Sequence, residues 1–407
     1  MAAENKRKWL VLTLVVVGVP PTAILGLYLY VSATATVLHP SSQDAPSVML
    51  SAPTPKWAQA AERGRGIVRA ALTGQNLPGL SVAVGLGGDL VWAEGFGWAD
   101  LESRAPVSPD TRFRIGTASI ALTSAGVGLL AEQGRLNLDE EIQTYVPEFP
   151  RKQWPVTLRQ LMGHLSGIGD DGGDDGPLLW MHCARPADGV AAFAENSLLF
   201  EPGTGYRFSS YGWILLSAAV EAAADEPFLT FMQNRIFEPL GMKDTVADST
   251  TEPVRNRASF YFPRFAADPR YGPDPMSDID SSCYAGSSVF LSTPSDLVRF
   301  GMAINGGKLL QLSTVRSLQT SQRLPSGKET GYGLGWDLEE VALAGEQTRA
   351  IGHDGESLGG MVVSLMTFPE HGIVVAVASN ISYADTSAVA SGIAQAFAAQ
   401  GKDPASR

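Results

Sequence analysis

A long apolar segment follows a cationic cluster at the start of the chain. Lys-Arg-Lys at 6–8 precedes 23 uncharged and mostly apolar residues, 9–31. As a helix rising 1.5 Å per residue, this segment would be about 35 Å long, enough to cross a bilayer core. Because cationic flanks stay in the cytoplasm, the pattern predicts a single-pass signal anchor, with residues 1–8 inside and the rest of the chain on the periplasmic or extracellular side. A cleaved signal peptide is the alternative, since Ala-Thr-Ala at 33–35 is typical of a cleavage site.

The next segment, 32–55, has no apolar periodicity and is rich in Ala, Ser, Thr and Pro. Such a composition buries little surface and predicts an extended tether. Apolar residues recur at helical spacing after Lys56, and no second linker interrupts the chain before residue 400. We therefore expect one large domain, 56–400, followed by a short tail, 401–407.

Short apolar and alternating runs predict strands near both ends of this domain. The strands are expected at 80–86, 90–94, 348–352, 360–368 and 372–379. Helical patterns fill the middle of the domain, and the Ala-rich segment 384–399 predicts a closing helix. Because the first and last strands commonly meet in one antiparallel sheet with helices on its faces, the predicted fold class is α+β.

Composition excludes several classes of protein. The net charge of −12 argues against a nucleic-acid partner, because such proteins bind through a basic surface. Cys183 and Cys283 are 100 residues apart and neither belongs to a Cys-x-x-Cys motif, so a zinc ribbon and an iron–sulfur centre are unsupported. In an exported domain these two cysteines could form a disulfide, although the sequence does not place them side by side.

An acidic, glycine-rich run at 170–176 invites a calcium hypothesis. An EF-hand loop with Gly176 at its sixth position would place Gly173 third and His182 twelfth, where calcium needs oxygen ligands. We therefore predict neither a metal nor a cofactor and interpret the run as a solvated loop. A weak nonstandard cation site is the alternative.

Six motifs follow one another along the domain. They are Phe-Arg-Ile-Gly-Thr at 113–117, Leu-Met-Gly-His-Leu-Ser-Gly-Ile at 161–168, Pro-Gly-Thr-Gly-Tyr-Arg-Phe-Ser-Ser at 202–210, Leu-Ser-Thr-Pro-Ser-Asp-Leu at 291–297, Tyr-Gly-Leu-Gly-Trp at 332–336 and Gly-His-Asp-Gly at 352–355. In this order they resemble the β-lactamase-related serine hydrolases: class C β-lactamases, penicillin-binding D,D-peptidases, related esterases and LACTB-like proteins. The resemblance covers about residues 57–400 and implies a β-lactamase/transpeptidase-like fold with a helical subdomain.

The resemblance implies a Ser nucleophile with a Lys one helical turn later, and a Tyr-x-Asn pair that relays protons and orients substrate. In this chain the Ser and Lys positions are Thr117 and Ile120. The Tyr and Asn positions are Phe208 and Ser210. Neither Ile120 nor Phe208 can accept a proton, so the usual activation of the nucleophile is missing.

The third family motif, on a strand beside the oxyanion hole, is retained as His353-Asp354-Gly355. The resemblance implies that these three residues bind substrate and that His353 is a candidate acid–base group. It also implies that the backbone N–H groups of Thr117 and Glu356 form the oxyanion hole.

A shifted alignment does not restore the lost residues. No lysine of the chain has Ser or Thr three positions before it, and Ser119 is followed three positions later by Leu122. Structural roles compete with the functional ones: Thr117 could cap a helix, and His164 is expected to hold its loop by hydrogen bonds.

Two functions remain open. The first is a membrane-tethered pseudoenzyme that binds a peptide, a cell-wall or acyl ligand, or a protein partner. The second is a residual esterase, peptidase or β-lactamase activity through Thr117. A structural assembly module, like the filament-forming LACTB-like proteins, overlaps the first function, and the oligomeric state is open.

Overall fold

The computed structural model describes residues 23–169, 177–357 and 361–402. The strands are β1 (Ser47–Met49), β2 (Gly79–Leu86), β3 (Asp89–Asp100), β4 (Ala105–Pro106), β5 (Phe113–Arg114), β6 (Val246–Ala247), β7 (Tyr261–Pro263), β8 (Pro273–Pro275), β9 (Phe290–Ser292), β10 (Asp337–Leu343), β11 (Glu346–Ser357), β12 (Met361–Phe368) and β13 (Ile373–Ser379). The helices are α1 (residues 23–33), α2 (Ala58–Gly74), α3 (Ser119–Glu132), α4 (Leu158–Met162), α5 (Pro186–Ala191), α6 (Ser210–Ala224), α7 (Phe228–Met232), α8 (Pro294–Asn305), α9 (Leu312–Leu318) and α10 (Thr386–Lys402).

The main sheet joins the two ends of the domain. Its strand order is β1-β3-β2-β13-β12-β11-β10, with β4 paired to β3, and every pairing is antiparallel. The central pairing aligns Val82 of β2 with Val377 of β13. The α+β class is thereby confirmed.

Helices cover both faces of this sheet and divide the core into two parts. Helices α2 and α10 pack on one face, where the ring of Trp92 in β3 stacks on Phe397 of α10 at 6.1 Å. Helix α8 packs on the other face, and α3 and α6 form the helical subdomain beyond it. The Phe300 ring of α8 stacks there on Trp336, with centroids 5.9 Å apart. The candidate catalytic positions lie between this sheet and the helical subdomain.

The tether predicted for 32–55 needs correction, because part of it belongs to the domain. Strand β1 pairs with β3 and aligns Val48 with Gly95. Upstream of it, the Leu38 N–H donates to Asn76 Oδ1 at 2.8 Å. Composition did not reveal this packing, since hydrogen bonds of the main chain to an edge strand need no apolar side chain.

The predicted membrane span, 9–31, lies mostly outside the described residues. Its last part belongs to α1, where large apolar side chains such as Ile24 and Tyr30 are exposed. The ring of Tyr28 on this helix packs against Phe265 and Tyr271 of the domain, with centroids 6.3 and 6.1 Å apart. Among the helices of 23–169, 177–357 and 361–402, none is long and apolar enough to cross a membrane.

Cys183 and Cys283 form a disulfide, with their Cα atoms 4.9 Å apart. The bond joins the segment before α5 to a 3₁₀ turn, Ser282–Tyr284. The sequence left it open whether these two cysteines pair, and the structure shows that they do.

Candidate active site

Thr117 lies in a 3₁₀ turn, Gly116–Ala118, that packs directly against β11. Its Oγ1 donates a hydrogen bond to the carbonyl oxygen of Asp354 at 3.2 Å. A Cβ atom on Gly355 would lie only 1.9 Å from the carbonyl oxygen of Ile115. The close approach that brings Thr117 to the strand therefore requires glycine at position 355.

The Thr117 hydroxyl is hydrogen-bonded to no basic side chain in the part of the chain that the structure describes. Its hydrogen bond ends on a backbone carbonyl, which cannot take the proton. Only 8% of Thr117 is exposed. The helix-capping role is not adopted either, because α3 starts at Ser119 without a side-chain cap. Ser119 is fully buried and cannot serve as a substitute nucleophile.

None of the other three family-equivalent positions exposes a group that could transfer a proton. Ile120 is fully buried in the core. Phe208 is 37% exposed, and its ring packs against the imidazole of His164 with the two ring centroids 4.3 Å apart. Ser210 is the first residue of α6 and is 4% exposed. The site thus has an apolar ring where the family has a phenol, and a buried hydrocarbon where it has an amine.

His164 holds the loop that carries Phe208, as expected from the sequence. Its Nδ1 accepts the Ser209 N–H at 3.1 Å, and its carbonyl oxygen accepts the Arg207 N–H at 3.0 Å. Complete burial, together with the neighbouring His353, lowers the pKa of His164 to about 3. His164 is therefore a neutral structural residue.

Sequence reasoning missed Tyr332, which binds His353. The Tyr332 hydroxyl lies 2.9 Å from His353 Nε2. Burial raises the pKa of Tyr332 well above its ordinary value, so the phenol keeps its proton and donates it. The proton of a neutral His353 is then on Nδ1, which donates to the carbonyl oxygen of Asp354 at 2.7 Å. The sequence contained one indication that Tyr332 belongs to the site, since Tyr332 is the first residue of the fifth motif, 332–336.

This hydrogen bonding decides the role open to His353. Both of its ring nitrogens are engaged, one by Tyr332 and the other by the main chain of β11. The carbonyl oxygen of Asp354 accepts from both His353 and Thr117. His353 therefore helps to hold β11 and Thr117 together and has no free lone pair for the Thr117 proton in this arrangement.

The Asp354 carboxylate lies on the α10 face of the sheet, opposite to the face that packs against Thr117. Asp354 is paired with Ser364 of β12, and the Ser364 hydroxyl is 2.9 Å from the hydroxyl of Thr386 in α10. Asp354 keeps exposed surface, but desolvation of its carboxylate by the surrounding residues raises its pKa to about 6, against the hydrogen bond from Ser364. Like-charge repulsion adds to this effect and comes from Asp337, Glu339 and Asp385. Asp354 thus contributes its carbonyl oxygen to the site, and its side chain does not face the cleft.

Glu356 follows Gly355 on β11 and is paired with Val362 of β12. The oxyanion hole formed by the N–H groups of Thr117 and Glu356 stays a prediction. The described residues contain no group of three or more His, Cys, Asp or Glu side chains that could hold a metal ion. The acidic run 170–176 lies outside them.

Comparison with known proteins agrees with this architecture. The Beta-lactamase family profile matches residues 65–400. The mouse protein named serine beta-lactamase-like protein LACTB, mitochondrial, is 27% identical over 449 residues, which cover 84% of this chain and 81% of the relative. A penicillin-binding protein of Bacillus subtilis (strain 168) is 28% identical over 279 residues, covering 66% of this chain and 61% of the relative.

Among solved structures, the octameric penicillin-binding protein homologue from Pyrococcus abyssi superimposes with a TM-score of 0.70 at 24% identity, over 81% of this chain and 75% of that chain. This similarity concerns the fold alone and confirms the predicted β-lactamase/transpeptidase-like fold. The family match over residues 65–400 shows that the chain belongs to the β-lactamase-related serine hydrolase family.

Proposed function

We propose that this chain is an exported, membrane-tethered β-lactamase-like domain that binds a peptide or acyl ligand without forming an acyl-enzyme. The observation that carries the proposal is that the Thr117 hydroxyl donates to the Asp354 carbonyl and is hydrogen-bonded to no basic side chain among the described residues. Removing one acid–base partner typically costs about 10²–10⁴-fold in rate, and here Ile120 and Phe208 replace two.

The geometry supports a ligand with a carbonyl group and an apolar neighbour. The predicted oxyanion-hole donors are main-chain N–H groups, which do not depend on side-chain identity. Phe208 and Tyr206, 37% and 39% exposed, offer apolar surface at the site, where their rings lie 6.4 Å from His353 and 6.2 Å from Tyr332. Ile120 adds none, because it is fully buried.

Export and tethering are supported by two further observations. The Cys183–Cys283 disulfide suits an oxidising compartment. The apolar segment 9–31 continues into α1, whose exposed apolar side chains would suit a lipid environment. Added protease should digest residues 56–407 in spheroplasts, and protection of the domain would contradict this orientation.

Labelling of the full chain in detergent with a fluorescent penicillin and with a fluorophosphonate tests the absence of acylation. We expect no covalent adduct by intact-mass spectrometry. An adduct on Thr117 would instead establish the alternative, a residual esterase, peptidase or β-lactamase activity.

A repaired variant supplies the positive control. It combines Thr117→Ser, Ile120→Lys, Phe208→Tyr and Ser210→Asn, because residues that act as a unit do little when restored singly. The matched negative control carries the last three changes with Thr117→Ala. Acylation of the first variant and not of the second is expected, with thermal unfolding measured for both because position 120 is buried. A folded repaired variant that forms no adduct would refute the assignment of these four positions.

A further inference from the structure

A cavity of about 250 Å³ opens between α8, α9 and β11. Asn305 at the end of α8, Gln319 directly after α9 and Ile351 of β11 contribute to its wall. Ile351 lies two residues before His353 on the same strand, so the cavity neighbours the candidate active site. None of its lining residues belongs to that site.

The buried wall of this cavity has unsatisfied hydrogen-bonding groups. Within the described part of the chain, Asn305 Nδ2, Asn305 Oδ1 and Gln319 Nε2 are buried without a partner. Gln319 is only 8% exposed. Buried amides without partners are unfavourable, so these groups favour an occupant that both accepts and donates hydrogen bonds.

The rim of the cavity carries a positive charge. The Arg349 guanidinium is balanced by Glu370, with Nε and Oε1 3.3 Å apart. Arg316 also lines the cavity and is in no ion pair among the described residues. Arg349 faces Glu340 across the sheet as well as Glu370, so the positive charge for an anionic ligand comes from the Arg316 guanidinium. Leu312, 49% exposed, adds apolar surface beside Arg316.

We infer that this cavity binds the carboxylate of an acylated amino acid, either as a free molecule or as the C-terminal residue of a peptide. The carboxylate suits Arg316 and the amide donor of Gln319. The amide N–H of the ligand suits Asn305 Oδ1, and an aliphatic side chain suits Leu312. This site is separate from the cleft around Thr117 and does not depend on the function proposed for it.

An adjoining cavity distinguishes the two sources of this carboxylate. It has a volume of about 290 Å³ and shares Gln319, Thr320 and Arg349 with the first. Arg323 lines the adjoining cavity but not the first one, and it is paired with Glu329. The preceding residues of a peptide would lie there, whereas a free acylated amino acid would not reach it.

Calorimetric titration of the full chain in detergent tests the inference with N-acetyl-leucine, its neutral analogue N-acetyl-leucinamide, and a tetrapeptide ending in leucine. We expect N-acetyl-leucine to bind at least about tenfold more tightly than the amide. Arg316→Gln and Gln319→Leu should each weaken the binding of N-acetyl-leucine by about tenfold or more. Arg323→Gln, the matched control, should leave N-acetyl-leucine unaffected. If it weakens only the tetrapeptide, the peptide end is the better ligand.

Three results would overturn the inference. The first is an absence of binding by any of these carboxylates at millimolar concentration, which would mean that water alone satisfies the buried amides. The second is equal affinity for the carboxylate and its amide, or no effect of Arg316→Gln. The third is a loss of N-acetyl-leucine binding in Phe208→Ala with no loss in Gln319→Leu, which would move the ligand to the cleft.

Discussion

His164 should make the stability of the domain depend on pH, and His164→Asn should remove that dependence. His164 has a left-handed backbone, with φ of 57°. Asn adopts this conformation more readily than most residues do. The Asn side-chain oxygen can also take over the role of His164 Nδ1, which accepts the Ser209 N–H at 3.1 Å. The substitution therefore removes the titrating group and keeps the hydrogen bond that holds the loop.

The expected magnitude follows from the difference between the folded and unfolded states. Burial lowers the pKa of His164 from 6.5 to about 3. The unfolded chain therefore binds a proton that the folded chain refuses, and the free energy of unfolding falls as the pH drops below about 6.5. Each pH unit in this range costs up to about 1.4 kcal/mol, so acidification from pH 6 to pH 4 should cost about 2.5 kcal/mol through this residue.

Urea unfolding of the parent and of His164→Asn, followed by tryptophan fluorescence at several pH values from 4 to 8, measures this difference. His371→Asn controls for the loss of one histidine elsewhere, in the turn between β12 and β13. Each variant is compared with itself across pH, so a constant loss of packing energy cancels. An unchanged pH dependence in His164→Asn would refute the conclusion that this imidazole is buried and neutral.

Three other variants test separate features of the structure. Gly355→Ala should lower the free energy of unfolding by about 3 kcal/mol or more, because the new Cβ would lie 1.9 Å from a backbone oxygen. The control, Gly66→Ala in an open position of α2, should raise the free energy of unfolding by about 0.5–1 kcal/mol. Equal effects of the two substitutions in urea unfolding would contradict the close approach at Gly355. Replacing Cys183 and Cys283 together by Ala should cost about 2–5 kcal/mol in the same assay, since the bond closes a loop of 100 residues, and no loss would argue against the bond. Because the pKa of Asp354 is raised to about 6, the domain loses stability as the pH rises from about 4 to above 6. Asp354→Asn should therefore stabilise the domain at pH 8, by less than about 1 kcal/mol after solvent screening, and should have no effect at pH 4. A larger stabilisation at pH 4 than at pH 8 would be inconsistent with the raised pKa.

The local pattern of the sequence was sufficient for the central strands of the sheet and for the identity of the candidate site. Alternating and short apolar runs located the strands that became β2, β12 and β13, within a few residues of their ends. Motif spacing located Thr117 and His353, which the structure brings to the same carbonyl oxygen. Both signals are local, because strand periodicity and motif identity are properties of neighbouring residues.

Contacts between distant segments were decided by the tertiary structure alone. Strand β1 arises from a segment whose composition resembles a tether, since main-chain pairing leaves little trace in side-chain pattern. Tyr332 reaches His353 only because the loop before β10 folds over β11, and that contact fixes which nitrogen of His353 carries the proton. Gln319 and Asn305 meet around one cavity because α9 packs against α8. Residue identity determined which chemistry was lost from the family site, whereas packing determined which polar groups were left without partners.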